Sequence, residues 1–449
     1  MVTCRLAVVL AFMAPGAIVF SRCSTTTPAA IVDAGPDVTM VDVASEDVVD
    51  SEEAEAAPVR REGGAAGCSS FDASVAFDGG DAGLFQAFTR IATAAYLEAA
   101  AIGDVTGDGR PDVVVTTSYL ADGTLTNDSA VLVFAQQSDG SLASPVRYPT
   151  GGTFPQYEAN SIAVGDFNGD GRTDVAVPYI GGVGVFYQTG EGTLAPIQVA
   201  LFPTATFQTP RLIVAGDFNT DGRTDIAGVG TGPPDLGVYL QDDAGALMAP
   251  VGYTVDDAAG LAPGDLDGDG RTDLVLSNFQ GYTPPGLEIL YQETDGSMGT
   301  LAPYWYPAKE VTEAFAVGDL NSDCLDDVAA NAMGSTSMQL YMYPQYDGNL
   351  ASPALYPVPE TFGAMKVADV NGDRRLDLVA LWNGYPGVSV YVQYTNGTLL
   401  VPINLPFAII ENPSAQALVI GDVNGDGQPD IVAADHYTAG LDVMLHTPP

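Results

Sequence analysis

Seven copies of one acidic nine-residue segment, each with the same internal spacing, constrain the fold of this chain more than any other feature. The first runs Asp104-Val105-Thr106-Gly107-Asp108-Gly109-Arg110-Pro111-Asp112, and its counterparts begin at Asp166, Asp217, Asp265, Asp319, Asp369 and Asp422. Successive copies start 62, 51, 48, 54, 50 and 53 residues apart. Such a period marks a repeat architecture, and it accommodates four short strands with their turns, the content of one propeller blade. An apolar stretch precedes each segment, as in Ser161-Ile162-Ala163-Val164-Gly165, and another follows, as in Asp174-Val175-Ala176-Val177. A third, Val183-Gly184-Val185-Phe186-Tyr187-Gln188, leads through a turn toward a fourth. Their alternation and turn chemistry specify strands rather than helices. The expected fold is all-β: a seven-bladed β-propeller with four-stranded blades.

The two ends of the repeat array indicate how the ring closes. The last repeat reaches only its third strand, Leu441-Asp442-Val443-Met444-Leu445-His446, before Pro449. The early segment 84–93 resembles the fourth-strand region 141–150, so an N-terminal strand is expected to complete the last blade. Closure of this kind covers sheet edges that would otherwise stand open. The alternative is an independent cap over residues 84–93 and a differently closed array.

Within each segment, hard oxygen donors stand at positions one, three, five and nine, and the carbonyl of position seven can complete the shell. Calcium accepts six to eight oxygens in flexible geometry, whereas zinc would call for paired His or Cys. The expected ligands are Asp104, Thr106, Asp108, Arg110 and Asp112 in loop one, and Asp166, Asn168, Asp170, Arg172 and Asp174 in loop two. Loop three offers Asp217, Asn219, Asp221, Arg223 and Asp225, and loop four Asp265, Asp267, Asp269, Arg271 and Asp273. Loop five offers Asp319, Asn321, Asp323, Leu325 and Asp327, and loop six Asp369, Asn371, Asp373, Arg375 and Asp377. Loop seven has Asp422, Asn424, Asp426, Gln428 and Asp430. A lone Asp-rich turn can stabilise itself by local hydrogen bonds; seven in register point to up to seven calcium ions. Position six is glycine in five loops but Cys324 and Arg374 in loops five and six. If that position takes positive φ, these two residues add strain of about 1 kcal/mol, and weaker binding or altered geometry is expected there.

The recurring Gly-Asp-Phe/Leu/Val-Asn-Gly-Asp-Gly-Arg-Thr/Pro-Asp pattern resembles the FG-GAP/VCBS repeats of integrin-alpha-like propellers, over residues 84 to 449, with departures at Thr106, Cys324 and Arg374. The resemblance implies a calcium-supported propeller used in adhesion or extracellular recognition, and in some carbohydrate-active proteins as a scaffold. No inserted integrin-like ligand domain interrupts the repeats.

Outside the repeats, residues 1–23 read as an export signal, with Arg5 ahead of the apolar stretch Leu6 to Phe20, which is short for a membrane span. Cys23 is a candidate lipid-attachment residue, although Phe20 and Arg22 depart from the usual lipoprotein pattern. Residues 24–67 are acidic and lack aromatics, the composition of a flexible linker, and residues 68–449 are assigned to the propeller. The chain is expected to be secreted or associated with the cell envelope, without a membrane-spanning mature domain. In that setting Cys68 and Cys324 either pair or remain free thiols. A formal net charge of -42 argues against nucleic acid as a partner. Filling seven sites would offset about a third of that charge.

Antiparallel strand order places the acidic loops on one rim with the turns between third and fourth strands. The other rim carries the remaining connections and is the expected recognition face for an extracellular protein or polysaccharide. Its aromatic candidates are Tyr119, Tyr179, Phe279, Tyr282, Trp382, Tyr385 and Tyr437, with Tyr304, Trp305 and Tyr306 in another long connection. Gln136, Gln188, Gln241, Gln292 and Gln393 recur at third-strand ends, which points to blade packing, and His446 takes the same place in the last blade. His436 is the remaining histidine, in a connection of the recognition rim, and no triad can be assigned from it. The expected function is therefore calcium-dependent adhesion or recognition; a carbohydrate-active enzyme or a structural surface-assembly protein are the alternatives.

Overall fold

A computed structural model describes residues 83–447 apart from 123–125, 152–160, 203–209, 231–233, 256–257, 279–285, 306–309, 334–337, 359–360 and 412. The proposed export signal and acidic linker lie outside the described residues. Seven four-stranded antiparallel sheets form the blades of a propeller, and no helix occurs among the described residues. Blade one runs through Ala95–Gly103, Asp112–Leu120, Ala130–Phe134 and Val146–Pro149. Blades two to six open with Ala163–Gly165, Leu212–Gly216, Ala258–Gly264, Glu310–Gly318 and Phe362–Ala368. Each first strand touches the first strands of both neighbouring blades, so the series closes on itself around the axis.

Blade seven contains Leu418–Gly421, Asp430–Asp435 and Gly440–Met444 from the end of the chain, and its fourth strand is Thr89–Ala92. Thr89 pairs with Val443 and Ala92 with Gly440, while Phe85 bridges His446. The N-terminal strand thus completes the last blade, as expected. Arg90 on this strand grips Asp442 through both carboxylate oxygens at 2.7 Å and reaches Asp435 at 2.7 Å. Both aspartates are fully buried, so the guanidinium supplies charge to carboxylates that water cannot reach. A second tie lies at the axis. The Gln416 side chain of blade seven accepts from Ser161 Oγ and Ile162 N at 2.8 Å and donates to Ile213 O at 2.9 Å.

The apolar core sits between blades, because each sheet has two buried faces and no other layer to pack on. One cluster joins blades seven and one around Leu97, Val115, Val423 and Leu441, the next joins one and two, and the pattern continues around the ring. Position two of every acidic loop belongs to this packing: Val105, Phe167, Phe218, Leu266, Leu320, Val370 and Val423 are all buried. The loops are therefore hairpins with one residue driven into a seam. In all seven, position nine pairs across the hairpin with the residue preceding position one, from Gly103 with Asp112 to Gly421 with Asp430.

Candidate cation loops and the opposite rim

In every loop the position-one carboxylate accepts the backbone N–H groups of positions five and six; in loop two these are Asp170 at 3.1 Å and Gly171 at 2.8 Å. Wrapping the chain around one carboxylate demands positive φ at position six. Gly171 has φ 80°, and Cys324 and Arg374 are held at 72° and 70°, where a side chain is strained. Position four needs the same conformation, which the sequence pattern concealed. Thr220 (φ 59°) and Ser322 (φ 62°) occupy it in loops three and five, and their hydroxyls bond Gln292 Oε1 and Gln393 Oε1 of the following blade. A local penalty is thus joined to a bond across the seam.

Position nine is fully buried in all seven loops. One of its oxygens accepts from the N–H of position two and the other from the N–H at the end of the third strand, as Asp225 does with Phe218 (2.9 Å) and Gln241 (2.7 Å). Burial outweighs these bonds and raises the carboxyls: Asp174, Asp225 and Asp430 to about 6, Asp273 to about 7, and Asp327 and Asp377 to about 8. A nearby cation would favour the ionised form of these groups. Position seven donates its N–H to the position-five carboxylate throughout, and in five loops its arginine side chain pairs with that same carboxylate, as Arg223 does with Asp221 at 2.7 Å.

The donor set suits calcium: carboxylate, amide and carbonyl oxygens on a loop shaped around its first residue. Among the described residues, Asp265, Asp267 and Asp269 bring three carboxylate oxygens within 4.8 Å of one another. In loop one, Thr106 takes position three, and its backbone N–H donates to Asp112 at 2.9 Å. Asp326, at position eight of loop five, accepts from Asp265 N at 2.9 Å, adding a neighbouring-blade carboxylate beside loop four.

The repeated glutamines are inter-blade staples. Gln188 Nε2 donates to Asp104 O at 2.9 Å, Gln241 to Asp166 O at 2.8 Å, Gln292 to Asp217 O at 3.0 Å and Gln393 to Asp319 O at 2.9 Å. Gln136 closes the circle on Asp422 O at 3.0 Å. Gln345 does the same to Asp265 O at 3.2 Å and was missed in the sequence, because its turn is one residue shorter before Gly348. In blade seven His446 substitutes, its Nε2 lying 3.2 Å from Val370 O. The turns after the staples press on the loops: a Cβ at Gly140 would sit 2.6 Å from Asn424 O. Acidic loops and third-to-fourth-strand turns therefore share one rim. Cys324 is disulfide-bonded, and the other three cysteines lie outside the described residues.

The opposite rim has no such repetition. Tyr385 and Tyr437 are 47% exposed, whereas Tyr119 and Tyr179 are half-buried. Trp382 packs on the core, and its Nε1 donates to Ser389 Oγ at 2.7 Å. Phe279, Tyr282 and Tyr306 lie outside the described residues. Two features escaped sequence reasoning, one on this rim and one nearer the loops. His436 pairs through Nδ1 with the buried Glu98 of blade one, a partner 338 positions away. In blade six, Lys366 occupies a first-strand position held by Ala or Val in the other six blades, and burial lowers its pKa.

An FG-GAP-like repeat model matches residues 104–177, 166–228, 217–276, 265–330 and 369–433, more than half of the chain. A chain in the crystal structure of BBS1N in complex with ARL6DN, soaked with mercury, is 14% identical with a TM-score of 0.55, covering 82% of this chain and 98% of its own. An Agrocybe aegerita lectin, described as recognising non-reducing terminal N-acetylglucosamine, is 15% identical with a TM-score of 0.51, covering 80% and 87%. At these identities the likeness is one of fold. No curated protein matches the chain by sequence.

Proposed function

Because the chain belongs to the FG-GAP-like repeat family, we propose that it is an exported, calcium-binding propeller for adhesion or for recognition of extracellular protein or carbohydrate. The observation that carries this reading is the contrast between its rims. Every acidic loop has a structural task, in hairpin closure, seam packing and stapling, which leaves the variable rim for recognition. Calcium, when bound, would supply positive charge to carboxylates crowded at low dielectric and so link metal binding to folding. The donors are those of the seven loops, from Asp104 to Asp430. Propeller neighbours that bind a protein and a carbohydrate support both partner classes. The apolar segment before Cys23 supports export, and Cys23 is the candidate anchor to a cell envelope.

The test is a matched binding and turnover screen against extracellular polysaccharides, with calcium and with chelator. Calcium-dependent retention without product release is expected. Reproducible release of oligosaccharides would replace recognition with the carbohydrate-active alternative.

A further inference from the structure

The seam between blades seven and one breaks the repeat on the rim opposite the acidic loops. Glu98, on the first strand of blade one, is buried, and its Oε1 faces His436 Nδ1 of blade seven. A carboxylate at Nδ1 fixes that nitrogen as the donor and sets the ring's orientation. Two tyrosines flank the imidazole. Tyr96, two residues before Glu98, lies 6.3 Å away at 38°, and Tyr437 lies 4.9 Å away at 80°.

The support beneath this group is rigid. Asp435 accepts from Tyr437 N at 2.8 Å and Thr438 N at 3.0 Å, so the turn carrying His436 and Tyr437 is pinned to a buried carboxylate that Arg90 also holds. The Glu98 carbonyl is held by Ser414 Oγ at 2.8 Å. The part left open is aromatic and polar together: Tyr437 is 47% exposed, and the His436 side chain keeps 23% of its surface accessible.

We infer that the blade seven–blade one seam is a saccharide-binding site, in which Tyr437 stacks on the apolar face of a pyranose and His436, oriented by Glu98, hydrogen-bonds its hydroxyls. A flat ring beside a fixed polar edge matches a neutral sugar, whose ring presents C–H groups on its faces and hydroxyls around its perimeter. An ammonium ligand fits less well, because the nearby carboxylate is already engaged by the imidazole. The site rests on the recognition reading above and narrows it to one place. It occurs once among the described seams: Glu313 and Tyr119 stand at the offsets of Glu98 and Tyr437 in other blades, but no other blade has a histidine at the place of His436.

The test is binding of the full chain, in calcium, to an array of neutral hexose and N-acetylhexosamine oligosaccharides, comparing wild type with Tyr437→Ala, His436→Gln and Tyr385→Ala. Wild type is expected to retain at least one glycan, with affinity reduced about tenfold by Tyr437→Ala, the loss of one stacking contact, and unchanged by the Tyr385→Ala rim control. The chain has two histidines, so imidazole NMR gives an independent readout: the retained glycan should shift the His436 resonances and leave those of His446 in place. Equal binding by all variants would overturn the seam site while leaving carbohydrate recognition standing elsewhere on the propeller. Failure of wild type to retain any glycan would overturn both the seam site and the carbohydrate branch of the proposed function.

Discussion

The two rims of this propeller are built on opposite principles. On the loop rim, a buried carboxylate at position nine, a positive φ at position six and a cross-seam staple recur from blade to blade, with His446 replacing glutamine once. On the other rim, the described connections differ in length and chemistry, and the Glu98–His436 pair has no counterpart at another described seam. Recurrence identifies what every blade needs in order to fold. The one histidine that departs from the repeat there, bonded to a buried carboxylate and partly open, is where the saccharide site is proposed.

The largest effects should come from the recurring elements and should be alike in different blades. Replacing Asp225 by Leu strands the N–H groups of Phe218 and Gln241 in a buried hairpin, at a cost of about 4 kcal/mol for two unpaired donors. The equivalent change at Asp430 should cost about as much, and urea unfolding would compare them. A harmless substitution at either site would break the sevenfold equivalence. Arg90→Ala acts at the closure instead. It leaves Asp435 and Asp442 buried without their cation, and a loss of about 3 kcal/mol is expected, the low end for such a pair because Arg90 is itself partly exposed. Limited proteolysis should then cut first near Thr89–Ala92.

Chelated protein should respond to pH in a direction set by position nine. These carboxyls sit above their ordinary value of 3.8, so the folded state holds protons that the unfolded chain has released. Their contribution is greatest below pH 4 and is lost as pH rises through about 6 to 8. Thermal unfolding in chelator should therefore weaken across that window, and added calcium should flatten the dependence by stabilising the ionised forms. The smallest effect concerns the irregular loops. Arg374→Gly relieves a positive φ and should stabilise the protein by about 1 kcal/mol, whereas the same change at a position with negative φ would not. Calcium titration of this variant would show whether strain also weakens loop six.

Much of this architecture was legible because it repeats. Seven acidic segments fixed the blade count, and the missing last strand indicated that segment 84–93 closes the ring, as the Thr89–Val443 pairing shows. Positive φ at Cys324 and Arg374 could be read from glycine in the same place elsewhere. Position four was less legible, since Thr220 and Ser322 look like ordinary polar loop residues until their bonds to the next blade are seen. Glu98 was illegible for a different reason: its partner stands at the far end of the chain, and ring closure brings the two together. Gln416 is a similar case, since its bonds run across the axis to blades two and three.

The central claim is that the acidic loops bind calcium and thereby hold the blades together. Thermal unfolding of chelator-treated protein during calcium titration tests it most directly. At each site, free ion at a hundred times the Kd adds about 2.7 kcal/mol, so the midpoint should climb by many degrees and continue to climb as successive loops fill. An unfolding curve unchanged from chelator to saturating calcium would contradict the account.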